Sequence, residues 1–469
     1  MLKLIIVLSL LILLSGCFAN NTEQSISGNE QVAYISDISA ITEDRATGSS
    51  QNIVMVSVST ERTVVVMEDG GLWEWDAWNS NPTWIMGNVI YAVAGETHAL
   101  AITTDGALWA WGNNHAGQLG DGTTESRHEP IQIMENVAEA VIAPNFHSGQ
   151  LDYLSWRSYA ITENRELWAW GGAGSDSYDT LGGYLGDGSY ENRLTPVRIM
   201  ENVASFVPSY SGGFAITECG TLLGWGANYD GLFSDTAANL FEMNDDLNSI
   251  SQLLPVPLMD DAAKVIVYHR GRVLAIATDG SLWALGNPHV KLMDNVSNAQ
   301  GAYPYAMFVL TNDGDLYSWG QPNLLNSDNW RDNPRIPVLG DGTTDNRREP
   351  VRIMENVSSF SLAANSAYAI TMDGGLWTWG TNLIWSYNED TRQWQQNGQL
   401  RLSPERILDN VASVSSSFMC DHGTTTNRTF AVTNDGALWA WSNNEQGLAA
   451  LGNGTNEPSL DPVRIVIGA

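Results

Sequence analysis

Seven histidines, three cysteines and 53 Asp and Glu side chains are the groups in this 469-residue chain best able to ligate a metal, move a proton or attack a substrate. The histidines are His98, His115, His128, His147, His269, His289 and His422, and none stands at metal-ligand spacing from another. His98, which precedes Ala-Leu-Ala-Ile-Thr, reads as a structural residue. Asp-Gly-Thr-Thr at Asp121 and at Asp341 offers oxygen donors without the dense alternating carboxylates of a calcium loop, so both read as turns. The pairs Asp245-Asp246 and Asp260-Asp261 read as solvated loop. The chain lacks G-x-S-x-G, H-E-x-x-H, a P-loop and a G-x-G-x-x-G opening a helix. The expectation is therefore no enzyme, no metal and no cofactor. A carboxylate pair assembled from distant segments is the one catalytic arrangement left open.

One cysteine sits where its chemistry is legible. Met1-Leu2-Lys3 gives a positive start, and 4–14 is a nearly uninterrupted apolar run, too short for a stable membrane-spanning helix. The run ends in Leu14-Ser15-Gly16-Cys17, which resembles the bacterial lipoprotein cleavage box, where a thiol after small residues receives the lipid. This predicts a signal peptide over 1–16, lipidated Cys17, and a polar flexible tether over 17–51 in which 32–41 could add a strand. The expected location is the bacterial cell envelope, extracytoplasmic, at the surface or in the periplasm. The net charge of −31 opposes binding to nucleic acid or to an anionic membrane surface, so the membrane is reached only through the N-terminal lipid.

These residues are carried by a repeat. Small-apolar-Thr-x-Asp-Gly-x-Leu-Trp-x-Trp-Gly is clearest at 101–112, 369–380 and 431–441. Weaker copies centre on Asp69-Gly70, Asn164-Arg165, Cys219-Gly220, Asp279-Gly280 and Asp313-Gly314, making eight. Ala-Ile-Thr and Leu-Trp-x-Trp are β-prone runs on either side of Asp-Gly, a hairpin signal that calls for two residues at positive φ. A third run, Val-Arg-Ile-Met-Glu-Asn, and a fourth, Val-x-x-Val, complete a unit of four strands. In order these are A (Val-x-x-Val), B (Ala-Ile-Thr), C (Leu-Trp-x-Trp) and D (Val-Arg-Ile-Met). Where anchors stand close, at Asp69/Asp105 and Asp279/Asp313, only the C–D loop is missing. The predicted fold is all-β, a closed β-propeller over 52–469 with eight four-stranded blades, the last D strand at 462–466 meeting the first blade. Closure leaves few free sheet edges, as suits a monomer. Cys219 and Cys420 fall in the fourth and eighth units, on opposite sides of such a ring. That is beyond the ~7 Å Cα limit of a disulfide.

The segment Ala107-Leu108-Trp109-Ala110-Trp111-Gly112-Asn113-Asn114-His115-Ala116-Gly117-Gln118-Leu119-Gly120-Asp121-Gly122 resembles the regulator of chromosome condensation repeat family. Leu185-Gly186-Asp187-Gly188 and Leu339-Gly340-Asp341-Gly342 repeat its last part. The resemblance implies a propeller, typically of seven blades, over roughly 53–467, so a count of eight departs from the family. The family's nuclear founder acts on chromatin and a small GTPase, roles that suit neither an exported nor a strongly acidic chain. In texture the repeats are similar to the secreted bacterial β-lactamase inhibitor protein II, a propeller that binds its target through one face. A plant ultraviolet-B photoreceptor of the family uses clustered Trp as chromophore, but most Trp here belong to the repeat.

Strand parity points to a binding face. In antiparallel A-B-C-D blades the A–B and C–D connections emerge together, and the B–C turns and D–A links emerge opposite. All the large insertions belong to the first set: A–B at 144–158 and 418–428, C–D at 171–185, 227–254, 321–336 and 381–402. Six of the 19 Trp are off the repeat pattern, namely Trp78, Trp84, Trp156, Trp330, Trp385 and Trp394. All but Trp84 fall in these connections. Tyr153 and Trp156 share one insertion, Trp385, Tyr387, Arg392 and Trp394 share another, and Trp330 lies in a third. Aromatic and Arg side chains dominate binding hot spots, so these seven are the candidate partner-binding residues. Two readings stay open for them, packing their own loops or touching a partner. The partner expected is an unidentified protein, with glycan or peptidoglycan as the alternative.

Overall fold

The computed structural model describes the chain from 52 to 467, with Val32–Tyr34 before it. The rest of 1–51 and parts of the longer connections, chiefly 174–183, 233–251, 321–338, 389–392 and 443–449, lie outside the described residues. It is an all-β ring of eight four-stranded blades, over 53–86, 89–134, 137–200, 203–259, 262–293, 296–354, 357–408 and 411–465. Among the described residues there is no helix. Every blade is ordered A-B-C-D with antiparallel neighbours; in the second these are Val89–Ala94, His98–Thr103, Leu108–Gly112 and Arg127–Met134. Strand A packs on the A and B strands of the preceding blade, and strand D forms the half-exposed outer edge. Val32–Tyr34 pairs with the first A strand, Ile53–Val58; the remainder of the 32–41 strand expectation lies outside the described residues.

The repeat's residue types follow from packing on both faces of each blade. The Leu opening strand C is buried in every blade, from Leu72 and Leu108 to Leu376 and Leu438. Full burial of such a side chain contributes roughly 1.5–3 kcal/mol. The second Trp of strand C is buried at Trp75, Trp111, Trp170, Trp225, Trp379 and Trp441, while the first, as at Trp73 and Trp109, is half-buried.

The B–C turn differs from expectation. The Gly carries positive φ (77° at Gly106), but the Asp before it does not. Gly106 N–H donates to Thr103 O (2.8 Å) and Thr103 N–H to Ala107 O (3.0 Å). This is a three-residue loop, a type I turn followed by a left-handed bulge residue, which matches strand twist with only one residue at positive φ. The Asp serves as acceptor instead: Asp105 Oδ1 takes the Thr103 hydroxyl at 2.6 Å.

The last D strand meets the first blade, as expected, and does so by packing rather than by strand pairing. The last D strand, Ser459–Ile465, joins its own blade, and the first and eighth blades share no sheet. They meet by packing of Ile53, Val65 and Trp75 against Phe430, Leu451 and Ile465. Trp75 Nε1–H donates to Ala450 O (3.2 Å) and Arg428 to Ser59 O (2.6 Å) across the seam.

Candidate partner-binding face

One end of the ring is the turn face. Each D–A link ends in a residue at φ 57–62°, Asn in every case but Asp261, a type that tolerates the left-handed region. Each link is clamped between two B–C turns. Val137 N–H donates to Gly106 O (2.9 Å), and Glu163 N–H donates to Asn136 O (2.8 Å). The same pair of bonds recurs at every junction, and Ile53 N–H to Gly436 O (3.2 Å) with Glu68 N–H to Asn52 O (2.8 Å) completes the circle. The backbone here is spent on its own neighbours.

The opposite end carries the A–B and C–D connections. Where the C–D loop has the Leu-Gly-Asp-Gly run, or Leu451-Gly452-Asn453-Gly454 in the eighth blade, it folds into a plug over the next blade. Leu119, Leu185, Leu339 and Leu451 are fully buried. The glycine after each lies flat on the following blade's Trp; a Cβ on Gly120 would sit 2.8 Å from Trp170, and one on Gly186 2.6 Å from Trp225. At three of these four plugs the indole N–H donates to a plug carbonyl, Trp75 to Ala450 O, Trp170 to Gln118 O (2.9 Å) and Trp225 to Tyr184 O (3.1 Å). The plug's Asp meets the first Arg of strand D: Asp121 with Arg127 and Asp187 with Arg193, each at 2.6 Å, and Asp341 with Arg347. Burial pushes the Asp121 carboxyl up, but Arg127, Thr123 and Asn114 more than offset this and leave it below its ordinary value. These Asp-Gly-Thr-Thr segments are turns whose carboxylates are already engaged.

His98 is fully buried at the start of the second B strand, with Nε2 2.8 Å from Ser158 Oγ and Nδ1 3.1 Å from Thr97 Oγ1. Burial, reinforced by Arg62, pushes its pKa down to about 3, so it is a neutral hydrogen-bonding strut. Ser158 in turn donates to Gln118 O (2.8 Å), which ties the second blade's plug to the third blade.

The seven sequence-selected residues divide as follows. Trp156 is half-buried before strand B of the third blade, its carbonyl accepting Gly172 N–H at 2.7 Å. Tyr153 falls in a short strand, Asp152–Tyr153, paired with Phe146–His147. Trp385, Tyr387 and Trp394 lie on one ladder, because the seventh blade's C and D strands run on as Leu376–Asn388 and Gln393–Leu408. Tyr387 there faces Trp394 in register. Trp330 and Arg392 lie outside the described residues. The eighth blade's A and B strands, Val411–Asp421 and Thr424–Thr433, run on in the same way. The insertions at 381–402 and 418–428, expected as loops, are thus two neighbouring strand hairpins on one face. Trp78, off pattern in the sequence yet not selected, is 64% exposed in the first blade's C–D connection, next around the ring.

Residues 105–143 match the family model described as the regulator of chromosome condensation (RCC1) repeat, and 89–118 match a second model of that repeat. The Arabidopsis thaliana ultraviolet-B receptor UVR8 is 23% identical over 387 residues, 80% of this chain and 70% of the receptor. A Caenorhabditis elegans homolog of the X-linked retinitis pigmentosa GTPase regulator is 23% identical over 78% of this chain, which spans 24% of that protein. Among solved structures, yeast RCC1 (Prp20), bound to Kap60, is 15% identical with a TM-score of 0.48, covering 97% of this chain and 92% of that one. Ring, blade order and repeat define an eight-bladed β-propeller. Within that class, residues 89–143 match the RCC1 repeat, and the chain is similar to propellers built on it.

Proposed function

We propose that this chain is a lipid-anchored, extracytoplasmic scaffold that binds a protein partner, without catalysis, through the face carrying the A–B and C–D connections. The observation that carries the reading is the asymmetry of the two ends. The turn face is closed on itself by backbone hydrogen bonds, while the other end projects two long hairpins from the seventh and eighth blades and the exposed Trp78 from the first. Variable connections on one face of a rigid scaffold are the usual arrangement for binding. Similarity to regulators built on the same repeat supports a binding role, and Leu14-Ser15-Gly16-Cys17 supports the anchor.

The test is capture from the envelope of the producing organism, comparing the mature chain with the Trp156→Ala, Trp385→Ala, Trp394→Ala variant. A captured protein that the variant loses supports the reading. Capture that survives places the partner elsewhere, and capture of glycan alone replaces protein by sugar. For the anchor, Cys17→Ser should abolish labelling by radioactive palmitate; labelling that persists removes the lipid from the proposal.

A further inference from the structure

The junction between the seventh and eighth blades keeps the receptor for a plug and lacks the plug. Register identifies the missing parts. Gly112 faces Arg127, Gly171 faces Arg193 and Gly320 faces Arg347, and each of these arginines holds the plug's Asp. In the seventh blade Gly380 faces Arg401. Among the described residues Arg401 meets no plug carboxylate; it turns its Nε to Glu405 of its own strand, a side chain 55% exposed. The plug leucine stands eight residues before each of those arginines; at that position the seventh blade has Gln393, and the leucine nearest Arg401 is its neighbour Leu400. It is 43% exposed and drawn into the hairpin ladder opposite Thr381.

The rest of the receptor is intact. At the third junction Tyr159 OH (3.2 Å) and Trp225 Nε1–H (3.1 Å) both donate to the plug carbonyl Tyr184 O, and Leu185 packs among Tyr159, Ala169 and Trp225. The corresponding groups here are Tyr368, Trp441 and Thr378. Among the described residues no carbonyl bridges them; Trp441 Nε1–H donates instead to Tyr368 OH (3.2 Å), which also pairs with Thr429 Oγ1 (3.2 Å). Above them is a cleft of about 250 Å³, lined by Ser366, Arg401, Arg406, Ile407, Leu460 and Asp461 as well as by these three. A single water's share of volume is about 30 Å³, so the space takes a peptide segment rather than one solvent molecule.

We infer that this cleft binds, from a partner protein, an acidic peptide turn in which leucine is followed by glycine and an acidic residue. The leucine lies on Trp441 and Tyr368, the carbonyl before it accepts from Tyr368 OH and Trp441 Nε1–H, and the carboxylate takes Arg401 from Glu405. Arg406, already paired with Asp373 and Asp409, sets the rim. Asp461 opposes a second acidic group on the D-strand side and so favours a single carboxylate. A second copy of this chain is a poor donor, since Leu119, Leu185, Leu339 and Leu451 are all buried in their own ring. The site is separate from the hairpin tips and does not depend on their role.

The probe is an end-blocked peptide with the sequence of residues 113–127, titrated into the full mature chain by fluorescence anisotropy. The control carries aspartate in place of its leucine and asparagine in place of Asp121. The inference expects the peptide to bind at least tenfold more tightly than the control, and Arg401→Gln and Tyr368→Phe each to weaken it at least fivefold. A separate variant inserts a second copy of residues 120–126 between Leu400 and Arg401. It should fill the cleft, raise the melting temperature and abolish binding. Equal affinity for peptide and control, indifference to Arg401→Gln, or binding that survives the insertion would each overturn the inference.

Discussion

The two ends of the ring are made from the same eight repeats, yet they use the backbone in opposite ways. On the turn face every link is as short as two strands allow, and its N–H and C=O groups are claimed by the adjacent turns. On the other face the connections run from short links such as the three-residue Gly95–Thr97 of the second blade to the hairpins of the seventh and eighth. A junction there is sealed by side chains where a plug is present, and is left open where it is not. The lesson is that a propeller fixes its closure at one end and is free to vary at the other.

That contrast can be broken most severely at the plugs. Trp170→Ala removes the buried ring on which Gly120 lies and the donor to Gln118 O, and should cost about 3–5 kcal/mol, read as a lower denaturant midpoint. Next comes pH. The folded pKa of His98 is depressed to about 3 and the unfolded one is about 6.5, so the unfolded chain binds the extra proton first. Its contribution is complete above pH ~6.5 and is lost as pH falls toward 3, at about 1.4 kcal/mol per unit. His98→Gln should flatten the melting temperature over that window. On the turn face, Gly106→Ala forces a Cβ into φ 77° and should destabilise by about 1–2 kcal/mol. Arg165 occupies the same turn position at φ 62°, so Arg165→Gly should gain about 0.5–1 kcal/mol. The smallest expected effect is that of Trp78→Ala, under about 0.5 kcal/mol in stability because the ring is exposed. If that variant loses partner capture while keeping its melting curve, the assignment of the binding face is sharpened.

Much of this was legible because the repeat writes its period directly into the chain. Asp-Gly, Leu-Trp-x-Trp and Val-Arg-Ile-Met recur in register, and antiparallel parity then assigns each connection to a face. The details that escaped are those set by non-local packing. The turn was expected to place both Asp and Gly at positive φ, but the bulge puts only Gly there and recruits Asp105 as an acceptor for Thr103. Leu119-Gly120-Asp121-Gly122 was readable as a motif, yet the target of its leucine and glycine is Trp170, a residue of the next unit. The 381–402 insertion looked like loop because Gln395, Gln396, Asn397 and Gly398 are weak strand formers. Pairing with 382–388 supplies a ladder that local propensity does not reveal. Trp78 was passed over because exposure cannot be read from one side chain's type.

Because each blade is cut from one contiguous stretch of chain, no sheet is stitched from both ends of the polypeptide. Ile53 and Ile465 nonetheless pack in the same cluster, so the two ends of the propeller meet at one seam. The seam is therefore equivalent in kind to every other junction, and the place where the chain begins is arbitrary. A circularly permuted gene opening at Val203 or Val296, with 53 and 465 joined by a short linker, would keep all eight sheets whole. By the same logic, duplication or deletion of one unit's worth of DNA changes the number of blades without splitting any of them, a genetic route from seven to eight.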